Sequence, residues 1–253
     1  MTKKEIAEIL DGAAITAQAV PQMATANGVS LKDAYDIQRE LIELRINRGE
    51  SITGYKLGFT SKAKMLQMGV NDLIWGILTD AMEVSPGSTA RLAQWIHPRV
   101  EPEIAFRVSE NINGEISLEE IPHYIDKMAV ALEIIDSRYE NFKFTLEDVV
   151  ADNCSSTGYV LGTWHDLNTN ISSLKIDLFE NNVLVESATA AAILDNPLQS
   201  VVELSRLMFE NSIQVKKGDV ILAGAATAAI FLKPGCAYTT VVEGLGTVSF
   251  SVK

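Results

Sequence analysis

The chain is poor in the residues that build disulfide scaffolds and zinc sites. It has only two cysteines, Cys154 and Cys236, and three histidines, with no Cys-x-x-Cys pair and no histidine cluster. This composition argues against both kinds of site and makes a reduced cytosolic setting the default. The first residues, from Met1 to Glu5, are typical of a polar helix rather than a signal peptide. We therefore expect a cytoplasmic protein.

Basic residues and long apolar runs are also scarce. The chain has 21 basic against 33 acidic residues, which gives a formal net charge of -12. Nucleic-acid recognition depends on neutralising phosphates with Lys and Arg, so this charge argues against such a partner and equally against an anionic membrane surface. No apolar run approaches the roughly 20 residues that span a bilayer. We expect a small-molecule partner, and neither nucleic acid nor membrane.

The 253 residues, 47% of them hydrophobic, are enough for one large domain or a main domain with a smaller part. Residues 1–48 have a helical pattern. Ser30 begins a capping box, and the apolar stripe that follows ends at Gly49. The stripe consists of Ala34, Ile37, Leu41 and Leu44.

Later segments predict mostly strands. We expect a strand from Ser51 to Phe59 and a short helix from Thr60 to Met68; from about Ala81, short β-rich runs alternate with turn signals. Helices are expected at about 118–126 and from Asn196, as cap with Pro197 at the first helical position, to about 209. Consecutive strands should fill 220–252. Because strands and helices do not alternate regularly, we predict an α+β fold, with an α-rich part at 1–80 and a mixed β domain at 81–253.

Two glutamates lie one residue apart in a segment that predicts a buried strand, Val100 to Phe106. Side chains at i and i+2 share one face, so Glu101 and Glu103 project side by side, roughly 6–7 Å apart at the backbone. Like charges in apolar surroundings are costly unless a positive group lies between them. A divalent cation such as Mg²⁺ is one explanation. A solvated strand face of an acidic protein is the other.

A third acid, Glu133, lies in the continuous apolar run from Ala129 to Ile135, which is typical of a fully buried strand. An ionised carboxylate should not be unpaired there. One interpretation pairs it with an arginine, Arg99 or Arg138. The other places it with the glutamate pair around one cation, whose remaining sites a substrate would fill with its own oxygens.

Three further segments have two interpretations each. Lys56, between glycines and apolar residues, is either a lysine that reaches the surface or a cation aimed at an anionic substrate. The small polar run at 149–157 is either a turn that satisfies its own backbone or a ring of donors around a ligand oxyanion. The run at 224–229 is either a tight connection or a place where backbone amides approach a ligand.

Several segments, taken in order, resemble one known family. It is the 2-keto-4-pentenoate hydratase and 4-oxalocrotonate decarboxylase family, within the fumarylacetoacetate hydrolase-like superfamily. The resemblance runs from about residue 30 to the end, and the fixed order of its motifs makes it specific. The motifs are Gly54–Ser61, Gln67–Val70, His97–Ala105, Leu132–Tyr139, Ala151–Ser156 and Gly244–Ser249.

The resemblance implies a mixed β roll with a barrel-like core, a smaller α-rich N-terminal part, and a homo-oligomer. It implies small 2-oxo dicarboxylic acid substrates from meta-cleavage of aromatic rings, and a paralogous hydratase is a further expected partner. It also implies a Mg²⁺ or Mn²⁺ ion held by Glu101, Glu103 and Glu133. Lys56 and Ser155 match the family's active-site residues. Leu57, Gly58 and Thr227 are further candidates for substrate contact, beside Ser155.

One position separates the two branches of the family. Family hydratases resemble one another in an Asp before an aromatic-Gly pair, a candidate acid for adding water. Here Ile74 precedes Trp75-Gly76 and cannot move a proton, although Asp72 lies two residues away and a shifted role stays open. The run from Asp136 to Phe144 resembles the decarboxylase branch.

We therefore predict metal-dependent decarboxylation of 4-oxalocrotonate (2-oxohex-3-enedioate) to 2-hydroxypenta-2,4-dienoate. Hydration of 2-hydroxypenta-2,4-dienoate is the nearest rival. A non-catalytic partner subunit of a hydratase is a rival of another class, which the three intact acids disfavour. A C–C hydrolase is disfavoured because we find no convincing His-centred motif that would activate water.

Overall fold

The computed structural model describes residues 1–60 and 72–253, so the helix expected from Thr60 to Met68 lies, apart from Thr60, outside the described residues. The N-terminal part forms helices α1 (Lys3–Thr16), α2 (Ala24–Asn27) and α3 (Leu31–Asn47). Ser30 caps α3 in a capping box with Asp33, as the sequence predicts. The predicted stripe faces the core: Ala34, Ile37 and Leu41 are buried and Leu44 packs against them.

Thirteen strands are present in the described residues and form two mixed sheets. Their bounds are β1 Ile52–Gly58, β2 Ile74–Thr79, β3 Thr89–Ala90, β4 Arg99–Val108, β5 Ile125–Ile135, β6 Ser156–Leu161, β7 His165–Asp166, β8 Lys175–Glu180, β9 Val183–Thr189, β10 Val220–Leu222, β11 Ile230–Phe231, β12 Ala237–Val242 and β13 Gly246–Val252. The larger sheet has the order β2-β1-β10-β4-β5-β6, with β11 beside β4 and β7 beside β5. The smaller sheet has the order β3-β13-β12-β8-β9.

Three more α-helices join these strands in the described residues: α4 (Ile121–Tyr124), α5 (Leu146–Ala151) and α6 (Leu198–Glu210). The helix expected at 118–126 is shorter, a 3₁₀ turn followed by α4, because the apolar run of β5 already begins at Ile125. Helix α6 begins one residue later than predicted: Pro197 is its N-cap, and the side chain of Asn196 accepts a hydrogen bond from the amide of Leu198.

The predicted α+β class is confirmed, and the β core is two mixed sheets that do not close into a barrel within the described residues. The division at residue 80 stays a prediction; β1 and β2, which precede it, pair within the larger sheet. Among the described helices none is both long and apolar enough to cross a membrane.

The alternation along β4 decides where the site lies. Val100, Ile104 and Phe106 point into the larger hydrophobic core, which is shared with the helices. The opposite face carries Glu101 and Glu103, and beyond them a smaller apolar cluster. The same strand therefore supplies core packing on one side and the acids of the candidate site on the other.

Candidate metal centre and cavity

The strand register brings the three predicted acids together. Glu101 of β4 lies directly opposite Glu133 of β5, and Glu103 is two residues further along the same face. All three are buried, and one oxygen from each lies within 4.8 Å of the others. Like charges directly opposite in a sheet are destabilising, so this arrangement needs a compensating cation. The solvated-face interpretation of the pair is wrong.

Lys56 supplies part of that compensation. It extends from β1, is only 4% exposed, and its Nζ lies 3.1 Å from Glu133 Oε2. The surface-lysine interpretation is therefore wrong, and so is the pairing of Glu133 with Arg99 or Arg138. Arg138 instead pairs with Asp152.

Several carboxylate oxygens in this cluster still lack partners. Glu103 Oε1 and Glu133 Oε1 are buried and have no hydrogen-bond partner among the described residues, and Glu133 Oε2 has the Lys56 ammonium beside it. The other Glu103 oxygen accepts a hydrogen bond of 2.8 Å from the amide of Gly224. Gly224 has a φ of +101°, and a Cβ there would lie 2.3 Å from the Thr60 hydroxyl, so this approach requires glycine. Clustered, buried carboxylate oxygens without donors are the ligand set that a hard divalent cation prefers, so the residues fit Mg²⁺ or Mn²⁺.

The charges in this cluster shift one another's protonation. Burial raises the pKa of Glu103 well above its ordinary value; Glu133 raises it further, and Lys56 opposes both. Burial also raises the pKa of Glu133, again against Lys56. Burial alone would lower the pKa of Lys56, but the neighbouring carboxylates, Glu133 first, raise it above the ordinary lysine value. Lys56 is therefore a permanent cation beside carboxylates that are costly to ionise without a further positive charge.

Ser155 ends an unusual buried turn. Asn153, Cys154 and Ser155 have φ values of 48°, 52° and 58°, so three successive non-glycine residues are left-handed. Such residues cost roughly 1–3 kcal/mol each and persist only where the surroundings fix them. The turn presents a buried Ser155 hydroxyl that has no hydrogen-bond partner among the described residues. The predicted ring of donors is thus reduced to one well-placed hydroxyl.

Strand β2 holds this turn on one side. The side chain of Asn153 accepts a hydrogen bond from the Ile77 amide and donates one to the Ile77 carbonyl, both 2.8 Å long. The Cys154 thiol donates to the carbonyl of Trp75 at 3.0 Å. At Gly76 a Cβ would lie 2.8 Å from the Asn153 carbonyl oxygen and 3.2 Å from Lys56 Cδ. The glycine at this position therefore makes room for both the turn and the lysine.

A cavity of about 550 Å³ lies beside Lys56, Glu101 and Ser155. Predicted residues in its wall are Lys56, Leu57, Gly58, Glu101 and Ser155. Thr227 is not in the wall: its hydroxyl donates to the carbonyl of Ala228 at 3.2 Å, while its neighbours Ala225 and Ala228 line the cavity. The wall is otherwise largely apolar, with Ile74, Ile135, Phe142, Phe144, Val149, Ala225, Ala228 and Ala229.

The position that separates the family's branches lies in this wall. Ile74 lines the cavity and packs against Gly58, where a Cβ would lie 2.9 Å from the isoleucine side chain. Asp72 lies outside the cavity wall, is exposed, and accepts a hydrogen bond of 2.7 Å from Arg206. Asp72 is therefore engaged elsewhere, and Ile74 itself presents a hydrocarbon side chain to the cavity.

Sequence reasoning missed some of the wall. Arg99 lines the cavity and its guanidinium stacks on Phe142, whereas the sequence suggested Arg99 only as a partner for Glu133. A signal was present, because Arg99 precedes Glu101 by two residues and so shares its strand face. Phe142 belongs to the run from Asp136 to Phe144 that resembles the decarboxylase branch, but nothing in that run indicates that its ring lines the cavity.

Comparisons with known proteins agree with this geometry. The sequence profile described as fumarylacetoacetate (FAA) hydrolase C-terminal matches residues 62–253. A 4-oxalocrotonate decarboxylase of Pseudomonas sp. is 45% identical over 251 residues, which cover 99% of this chain and 98% of that protein. A 2-keto-4-pentenoate hydratase of Paraburkholderia xenovorans (strain LB400) is 32% identical over 90% of this chain and 86% of its own length.

A solved structure matches almost the whole fold. It is a 4-oxalocrotonate decarboxylase from Pseudomonas putida G7 complexed with magnesium and adipate. The two structures align with a TM-score of 0.96 at 35% identity, over 99% of this chain and 97% of the other. The profile match covers well over half of the chain, and the full-length relatives exceed 30% identity. The chain belongs to the fumarylacetoacetate hydrolase family.

Proposed function

We propose that this protein is a divalent-metal-dependent 4-oxalocrotonate decarboxylase, a carbon-carbon lyase of meta-cleavage aromatic degradation. The observation that carries this proposal is the buried cluster of Glu101, Glu103 and Glu133, which faces Lys56 at the inner end of a cavity. The relatives named decarboxylase support it, and one of them was solved with magnesium and a six-carbon diacid. The substrate would be 2-oxohex-3-enedioate, and the products 2-hydroxypenta-2,4-dienoate and CO₂.

The reaction moves negative charge from one end of the substrate to the other. The bond between C5 and the distal carboxylate breaks, its electron pair passes through the enone, and charge develops on the 2-oxo oxygen, which then takes one proton from water to become the 2-hydroxy group of the product. A divalent cation held by the three glutamates would supply Lewis-acid stabilisation of that charge. Lys56 adds positive charge beside the same carboxylates, and the Ser155 hydroxyl, which has no hydrogen-bond partner among the described residues, can donate a hydrogen bond to a substrate oxygen.

The apolar wall favours loss of CO₂ over addition of water. Hydration needs a group that delivers a proton and room for an ordered water. Ile74 instead places a hydrocarbon side chain in the wall, at the position where hydratases of the family have an Asp. Apolar surroundings also favour a step that disperses a localised carboxylate charge. The arrangement therefore supports decarboxylation more than hydration, even though both reactions would use the same metal.

One assay separates the two reactions. The purified protein, loaded with Mg²⁺, is offered 4-oxalocrotonate and, separately, 2-hydroxypenta-2,4-dienoate; released CO₂ and loss of the dienol absorbance are recorded. We expect CO₂ from the first substrate. Consumption of the dienol without CO₂ from 4-oxalocrotonate would replace the decarboxylase by the hydratase, and inactivity on both would support a non-catalytic partner subunit.

A variant pair tests the metal ligands. Glu133→Gln should lose most metal binding and turnover, because it removes an anionic ligand from the centre of the cluster. Glu110→Gln is the matched control, since Glu110 follows β4, the strand that carries Glu101 and Glu103, is exposed, and forms an ion pair with Lys217. Wild-type turnover by Glu133→Gln, after chelation and readdition of Mg²⁺, would refute the proposed ligand set.

Assembly and location stay predictions. We expect a homo-oligomer, and complex formation with a paralogous hydratase, both measurable by analytical ultracentrifugation of the protein alone and after mixing with the hydratase. We also keep the expectation of a cytoplasmic protein, which fractionation of the source cells would test.

A further inference from the structure

Arg99 is a cation in the cavity wall that the mechanism leaves unused, as is the exposed Lys143. It is the first residue of β4 and precedes Glu101 by two positions, so both side chains project from the same face of the strand. Two residues along a strand advance about 6.6 Å. Arg99 therefore lies one side-chain step from the glutamate cluster, inside the same cavity.

Two aromatic rings hold its guanidinium in place. The central carbon of the guanidinium is 4.0 Å from the ring centre of Phe142 and 4.3 Å from that of Phe231. Contact with two rings restricts the guanidinium, and its N–H donors stay available to a ligand. The Nε atom is buried and has no hydrogen-bond partner among residues 1–60 and 72–253. A planar, oriented cation with donors to spare is suited to a carboxylate.

The cavity runs from a buried inner end to an opening at the protein surface, and Arg99 lies toward the opening. Lys56, Glu101 and Ser155 are buried at its inner end, whereas Lys143 in the same wall is exposed. Phe231, the outer of the two rings that hold Arg99, is 53% exposed. A linear ligand with its 2-oxo acid end at the glutamates would thus direct its other end toward Arg99.

We infer that Arg99 binds the distal carboxylate of the substrate and so selects dicarboxylates over monocarboxylates. The inference rests on the proposed function for the orientation of the substrate. It names the residue that recognises the second carboxylate of a diacid, since Arg99 and Glu101 line the same cavity. It also explains why a rigid aromatic clamp surrounds an arginine that takes part in no other interaction of the mechanism.

The inferred contact acts on binding rather than on chemistry. The distal carboxylate is charged in the bound substrate and is lost as CO₂, so Arg99 stabilises the ground state and gains nothing as the charge leaves. Removing it should raise KM without lowering kcat, and kcat should rise to the extent that the contact is lost in the transition state. A charge-assisted hydrogen bond of this kind corresponds to about 10- to 100-fold in affinity.

The test compares two probes of equal length on the Mg²⁺-loaded protein. Dissociation constants for adipate and for hexanoate are measured by calorimetry with the wild type, Arg99→Gln, Arg99→Lys and the control Arg107→Gln. Arg107 lies on the same strand, also near an aromatic ring, but pairs with Asp126 outside the cavity. We expect a preference for adipate of about 10-fold or more that Arg99→Gln abolishes, Arg99→Lys retains in part, and Arg107→Gln leaves intact.

Other outcomes have separate meanings. The inference is overturned if the preference for adipate over hexanoate survives in Arg99→Gln. It is also overturned if a Lys143→Gln variant, measured in the same way, loses that preference instead. If Arg99→Gln loses the preference for adipate but keeps its Mg²⁺ affinity, the loss is not caused by a failure to fold. If Arg99→Gln does not fold, the result for Arg99→Lys decides. Absence of CO₂ release by a wild type that still shows an Arg99-dependent preference would refute the proposed function and leave the diacid site standing.

Discussion

Two buried groups of charges lie close together in this fold, and they differ in how completely they are satisfied. Around Arg138, the guanidinium donates to the Asp152 carboxylate, to the carbonyl oxygens of Asp136 and Asp152, and to the Thr157 hydroxyl. Around Lys56, one ammonium faces three carboxylates, and oxygens of Glu103 and Glu133 have no hydrogen-bond partner in the described part of the chain.

The difference distinguishes buried charges that stabilise the fold from buried charges that are suited to binding a ligand. A buried ion pair is tolerated when hydrogen bonds satisfy its remaining atoms, and the Arg138 group meets that condition while it fixes the segments on both sides of the Ser155 turn. In the glutamate cluster, Lys56 and the amide of Gly224 satisfy only part of the carboxylate oxygens, and Glu103 Oε1 and Glu133 Oε1 accept no hydrogen bond among the described residues. We conclude that incomplete satisfaction, and not burial of charge by itself, marks the site.

The largest expected effect is on the satisfied group. Arg138→Met should lower the free energy of unfolding by about 3–5 kcal/mol, because it leaves the Asp152 carboxylate buried and unpaired. Urea denaturation measures this change. Arg107→Met, which breaks an ion pair between two side chains that are more than a third exposed, should cost less than about 1 kcal/mol. Equal losses in the two variants would mean that the Arg138 network is not a structural core.

Glu103→Gln should show the opposite behaviour, with an effect on metal rather than on the fold. Even outer-sphere partners can cost roughly 100-fold in metal affinity, so loss of a direct anionic ligand should cost at least that much. Calorimetric titration with Mn²⁺ and Mg²⁺ measures it, with Glu110→Gln as the control. The amide side chain can still accept from Gly224, so the fold should persist; unfolding of this variant would contradict the distinction between the two groups.

The stability of the metal-free protein should depend on pH in the direction that the cluster dictates. The folded-state pKa of Glu103 is raised, by burial first and then by Glu133, well above its ordinary value of 4.5. The folded state therefore binds more protons than the unfolded state above about pH 4.5, and stability falls as pH rises through that window and beyond.

Chemical denaturation in EDTA at several pH values checks this prediction. The slope from one such group is at most about 1.4 kcal/mol per pH unit. Glu103→Gln should flatten the decline, and saturating Mg²⁺ should remove it. A metal-free wild type whose stability rises over the same window would show that the cluster is compensated by groups other than the ones described.

Much of the site could be predicted because strand periodicity is a local property. The spacing of Glu101 and Glu103 gave their shared face, and the apolar run around Glu133 gave its burial. The partner of Glu133 could not be predicted from strand spacing. Lys56 lies on β1, which is distant from Glu133 in sequence and pairs with β10 instead of with the strand of Glu133. The left-handed turn at Ser155 was equally hidden, since no glycine marks it and tertiary contacts alone hold it. Substrate contact by Thr227 stays a prediction, because its hydroxyl donates to the carbonyl of Ala228 while its neighbours Ala225 and Ala228 line the cavity.

The smallest predicted effect lies at Cys154, which sits between the two groups of charges. Burial raises the pKa of its thiol to about 12, with Lys56 opposing and Glu133 and Asp152 adding to the rise. At pH 8 only about one molecule in ten thousand would carry the thiolate, which is the reactive form. Iodoacetamide should therefore modify the half-buried Cys236 in the native protein and leave Cys154 intact, whereas both react in denaturant; peptide mass spectrometry distinguishes them. Equal reaction rates of Cys154 and Cys236 would show that Cys154 is accessible to solvent. The charges around Arg138 and those around Lys56 would then not share a buried environment, and the comparison between them would not hold.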